Sequence, residues 1–142
     1  MSSWQSGKLD LKCSLNILRK ALIHLMPNWE EQIKVDENGG LHAQYHGGAV
    51  KPTYHLLVSG NSGVPGLQHS DIGFMKKENG TWEIGGDYSV RTLQSKITGE
   101  VMRMRALTIA RMRGYDVVRN ESSDDEIITE IKVDIDAAKE LL

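Results

Sequence analysis

Residues 8–13 (Lys-Leu-Asp-Leu-Lys-Cys) alternate polar and apolar, the two-residue period of a half-buried strand. Ser14 then offers an N-cap oxygen, and Leu15, Leu18, Leu22 and Leu25 recur at helical spacing, which predicts a helix over 15–26. Pro27 ends it, because the residue before a proline disfavours the helical region. Alternation returns at 31–36 and again at 41–45 on either side of Asn38-Gly39-Gly40, a hairpin pattern. His46-Gly47-Gly48 breaks it, and 53–58 reads as a further strand. The stretch 59–66, rich in Gly, Ser, Asn and Pro, reads as loop.

Two apolar runs, 72–77 and 81–84, flank Glu78-Asn79-Gly80 as another hairpin. No proline occurs from Val90 to Arg113, and only Gly99 interrupts good helix formers, so one long helix is expected. Ile97, Val101, Met104 and Thr108 make one side of it, widened by Met102, Ala106, Ile109 and Ala110. Gly114 suits a helix C-terminus, residues 115–120 and 127–135 form a last hairpin through 122–125, and Asp136 caps a short terminal helix over 137–142. Hairpins dominate and no βαβ spacing repeats. The expected fold is a single α+β domain over 1–142, two layers deep, with a mostly antiparallel sheet covered on one face by two helices.

Composition changes this picture little. A chain of 142 residues with 39% hydrophobic content is long enough to bury a core. The net charge of -2 argues against a globally nucleic-acid- or membrane-seeking protein. The lone Cys13 excludes an internal disulfide and points to a reducing, cytoplasmic setting. No run approaches the roughly 18 apolar residues of a membrane span, and the first residues lack a secretory pattern. The charge distribution says more. Residues 91–119 carry Arg91, Lys96, Arg103, Arg105, Arg111, Arg113 and Arg119 against Glu100 and Asp116, whereas 120–142 carry eight acidic side chains against Lys132 and Lys139. The two halves either neutralise one another within the fold or offer a basic surface to a partner.

With the elements in order, the chain resembles the hypothetical chloroplast reading frame thirty-five family, an uncharacterised domain of plastids, cyanobacteria, other bacteria and some phages. The likeness rests on Asp71-Ile72-Gly73-Phe74, on Trp82-Glu83-Ile84 with Asp87, and on Lys96-Ile97-Thr98 in a helix closing at Gly114-Tyr115. It covers most of the chain. The resemblance implies no established activity, but some relatives are encoded beside AAA-type ATPases, which implies an accessory or adaptor role.

Candidate chemistry is sparse. His42 and His46 lie four apart on a strand pattern, where they share a face about 13 Å from each other and cannot grip one metal. His69-Ser70-Asp71 with Ser59 or Ser62 invites a triad reading, yet no Gly-x-Ser-x-Gly elbow occurs and adjacency in sequence carries no weight. Asp71 and Asp87 close the two ends of the central hairpin around Trp82; Asp is commonly a cap there, and two carboxylates lack a third metal ligand. Neither catalytic nor metal residues are assigned, and no cofactor is expected. Two readings stay open. The first is a non-enzymatic binding or adaptor module, forming a homodimer or other homo-oligomer and serving a protein partner such as an AAA-type ATPase. The second is a binder of a nucleotide or nucleic acid, using Arg91, Arg103, Arg105 and Arg111 with a 60–69 loop in which Asn61, Ser62, Gly63 and His69 face a phosphate.

Overall fold

A computed structural model describes residues 4–45, 48–67, 70–87, 90–113, 115–122 and 127–133, the last two spans by backbone alone. Two compact units emerge, Met1–Thr98 and Gly99–Leu142, with the boundary inside the long helix. The class is α+β, as the pattern of elements predicts.

In the first unit the strands are β1 (Gln5–Leu9), β2 (Ile33–Val35), β3 (Leu41–Tyr45), β4 (Gly48–Tyr54), β5 (Leu56–Val58), β6 (Ile72–Lys76) and β7 (Trp82–Gly86). Helix α1 (Leu15–Leu25) is capped by Ser14, whose Oγ accepts the Ile17 N–H at 3.2 Å, and it buries Leu18, Ala21 and Leu22. Pro27 ends α1 and opens a 3₁₀ helix, Pro27–Gln32, that occupies the start of the strand expected from residue 31. The opening strand is likewise displaced. It runs over Gln5–Leu9 rather than 8–13, because Leu11 N–H turns back onto the Leu9 carbonyl at 2.7 Å and ends the ladder.

Five strands form one antiparallel sheet in the order β1-β7-β6-β5-β2, and β3 pairs with β4 in a second, two-stranded sheet. The hairpin expected across 38–40 is therefore not a hairpin. The turn forms, with Asp36 Oδ1 and Oδ2 accepting the N–H groups of Asn38 and Gly40 at 2.9 and 3.2 Å. Its two strands nevertheless part company: β2 pairs with β5 and β3 with β4. The strand expected over 53–58 is also two strands, divided at His55, where the chain leaves one sheet for the other. The β6–β7 hairpin is formed where the sequence places it, Phe74 opposite Ile84.

Alternation along the five-stranded sheet separates its faces. Leu56, Val58, Ile72, Phe74, Trp82 and Ile84 share one face and are almost wholly buried. On the other face Gly73 and Gly85 are cross-strand partners, and the Tyr54 side chain lies across both. A Cβ at Gly73 would stand 2.5 Å from the Tyr54 ring, and one at Gly85 would stand 2.5 Å from its hydroxyl. Tyr54, Ala43 and Leu57 form a second core there, with Trp4, Leu41, Val50 and Met75 packed around it. The β3–β4 hairpin thus covers the sheet face that the sequence left without a partner.

In the second unit, β8 (Tyr115–Ser122) and β9 (Ile127–Val133) pair antiparallel from Tyr115–Val133 to Ser122–Ile127, the last hairpin expected. The residues read as a helix-ending Gly114 and as a terminal helix over 137–142 lie outside those described. Helix α2 (Val90–Met112) matches the long helix of the sequence. Among the described residues no helix is long and apolar enough to cross a membrane.

Candidate functional site

The loop after β5 is built from its own backbone. Asn61 N–H donates to the Leu67 carbonyl at 2.7 Å and closes the loop; Val64 N–H and Leu67 N–H follow with donations to Asn61 and Val64 carbonyls at 3.0 and 3.1 Å. Asn61 Oδ1 accepts the Gly63 N–H at 2.9 Å, an Asx turn. Trp29, buried beneath, donates its indole N–H to the Pro65 carbonyl at 3.0 Å, and Leu67 is fully buried. Asn61, Ser62 and Gly63 are exposed as expected, but the Asn61 and Gly63 N–H groups of a phosphate cradle already have partners within the loop. His69 lies outside the described residues.

Asp71 has a definite task. It is buried, and its two carboxylate oxygens accept different backbone donors: Oδ2 takes the Gln44 N–H of β3 at 2.8 Å and Oδ1 the Gly60 N–H at 2.6 Å. One side chain thereby ties the second sheet and the start of the loop to the head of β6. Trp82 is fully buried, and its indole N–H donates to the Cys13 carbonyl at 3.1 Å. Asp87 is half-buried just after β7, and its carbonyl accepts the Val90 N–H at 3.2 Å at the start of α2. Among the described residues no group of three or more His, Cys, Asp or Glu side chains is gathered as around a metal ion.

One residue that the sequence reading passed over is His55. At the point where the chain changes sheets, its N–H donates to the Phe74 carbonyl and its carbonyl accepts the Asp36 N–H, both at 2.8 Å. Its Nδ1 accepts the Lys76 N–H at 3.0 Å, so the neutral ring carries its proton on Nε2. The ring stands edge-on to Trp82, with centroids 6.1 Å apart. It also presses against Gly39, where a Cβ would come within 2.8 Å and where φ is +71°. A lone His between strand residues gives no sequence signal of such a junction.

The arginines are not gathered into one patch. In the first unit Arg91 is exposed on the first turn of α2. In the second unit Arg103 Nε donates to Glu100 Oε2 at 3.0 Å, and its Nη2 pairs with Glu100 Oε1, a two-pronged ion pair to a carboxylate that is itself buried. The hydrogen bond to Glu100 holds the Arg103 guanidinium above the ordinary arginine value, against a smaller opposing effect of burial. Arg105, Arg111 and Arg113 are exposed.

The same helix segment carries the most unusual surface of the chain. Val101, Leu107 and Ala110 are buried, whereas Met102, Ile109 and Met112 are 55%, 49% and 73% exposed. Ala110 joins the buried side as expected, but Leu107 takes the place given to Thr108, and Met102 and Ile109 turn outward. At 100° per residue, Met102, Arg105, Ile109, Met112 and Arg113 fall within about 100° of the helix circumference. Three of the four exposed large hydrophobic side chains among the described residues thus share one helix face, the fourth being Val35. No protein-family model, curated protein or solved structure matches this chain.

Proposed function

We propose that the chain is a non-enzymatic binding module of a reducing cytosol that meets another polypeptide through the outer face of α2. The observation that carries this reading is the stripe of Met102, Ile109 and Met112, which the fold leaves to solvent. Exposed apolar residues scattered singly need no explanation, whereas a contiguous stripe on one helix is a surface for association. Methionine suits such a surface, since its unbranched, polarizable side chain adapts to its partner's contours. The family resemblance adds an AAA-type ATPase to the partners worth presenting to it. The alternative, a phosphate-bearing ligand held by the basic 91–119 segment and the 60–69 loop, draws less support. The loop's N–H groups at Gly60, Asn61, Gly63, Val64 and Leu67 are engaged internally, and Arg103 is held by Glu100.

The test is a paired substitution, Met102→Lys with Ile109→Lys. Both side chains are about half exposed, so the melting temperature should stay within a degree or two of wild type. Chemical cross-linking and sedimentation of both proteins in their native extract should show the wild-type complex, homo-oligomeric or mixed, lost in the variant. Identical complexes from both proteins would remove the α2 face from consideration.

A further inference from the structure

We infer that the partner of the α2 face is an amphipathic helix whose apolar stripe is flanked by acidic residues; this rests on the binding-module reading above. The length of the face sets the first constraint. From Met102 to Met112 the helix rises about 15 Å, the span of roughly three turns of a second helix. An apolar stripe of that length, presented by a helix, matches the i, i+3, i+7 anchors of a partner helix better than an extended strand, which would need an open ladder of backbone groups.

Charge sets the second. In residues 99–113 the acidic side chain is Glu100, and it is buried against Arg103. The exposed charges of that segment, Arg105, Arg111 and Arg113, are all positive, and two of them, Arg105 and Arg113, lie on the same face as Met102, Ile109 and Met112. A second copy offering this same face brings arginine against arginine, an arrangement that disfavours helix-to-helix self-pairing. A partner with Glu or Asp beside its apolar stripe meets those arginines with opposite charge, and the exposed guanidiniums accept carboxylates in two-pronged geometry. An anionic lipid surface offers the same charge. The face however lacks the Trp or Phe anchors and the string of lysines that interfacial helices carry, so a protein helix fits it better.

The probes are three: a fluorescent 14-residue helical peptide with a Leu stripe flanked by Glu, the same stripe flanked by Lys, and phosphatidylserine vesicles. Binding to the intact protein is read by anisotropy and, for vesicles, by co-sedimentation. The Glu peptide should bind and the Lys peptide should not. Arg105→Glu with Arg113→Glu should weaken the Glu peptide at least tenfold, as should raising salt from 50 to 500 mM, and Met102→Lys with Ile109→Lys should abolish its binding. Equal binding of both peptides, affinity untouched by the arginine variant, or capture of vesicles without the Glu peptide would each overturn the inference. Should the Glu peptide fail while the methionine–isoleucine variant still loses its native complex, the binding face stands and its acidic partner falls.

Discussion

Asp71 shows how one side chain can look functional in sequence and prove architectural in space. Its neighbours His69 and Ser70 suggest chemistry, but both of its oxygens are taken by backbone N–H groups from Gln44 and Gly60. Replacing it by Ala leaves two donors beside a buried site, a loss of about 1–3 kcal/mol for each donor that stays without an acceptor. Asp71→Ala should therefore lower the urea midpoint substantially, and Asp71→Asn, which keeps one acceptor, should fall between the two. A melt unchanged in Asp71→Ala would show that water replaces the carboxylate without cost. Nothing in the sequence marks Asp71 for this task, because Gln44 lies 27 residues away and only the fold brings it near. The cap at Ser14 is the opposite case: donor and acceptor are three residues apart, and the pattern was legible directly.

At the scale of elements the same contrast holds. Helix α1, the β6–β7 hairpin and helix α2 were legible because their signals are local: helical spacing, a turn at Asn79-Gly80, a proline-free run. The β2 and β3 strands were also legible as strands, while their pairing was not. A turn such as 37–40 fixes the direction of the chain, and the partner of each strand is decided by which sheet can bury its apolar side. The meeting of the two sheets rests on the close approach of Tyr54 to Gly73 and Gly85. Gly73→Ala should cost on the order of 2–3 kcal/mol, since overpacking forces either the ring or the strand to move. Tyr54→Ala should cost about as much through the cavity it leaves. The double variant should be less destabilised than the sum of the two, and strict additivity in denaturant melts would mean that the ring does not press on Gly73.

For the molecule as a whole, the alkaline limb of stability reports on that same junction. Burial pushes the Tyr54 hydroxyl above the ordinary value of 10.0, Glu83 adds to the rise, and the indole N–H of Trp4, donated to it at 3.2 Å, partly offsets it. The folded chain therefore keeps this proton where the unfolded chain has lost it, so stability falls as pH rises past about 10. Tyr54→Phe should be less stable than wild type at neutral pH yet decline less steeply between about pH 10 and 11.5. Parallel decline in the two proteins would place the alkaline loss elsewhere. Sequence by itself determined the α+β class, the helices and most strands, since each follows from neighbours within a turn or a strand length. It also supplied the basic character of α2, since charge is a property of composition. Tertiary structure alone decided the change of sheet at His55, the use of Asp71 as a tie and the outward turn of Met102, Ile109 and Met112. Those depend on which of several apolar faces finds a partner, and burial is settled by the whole chain at once.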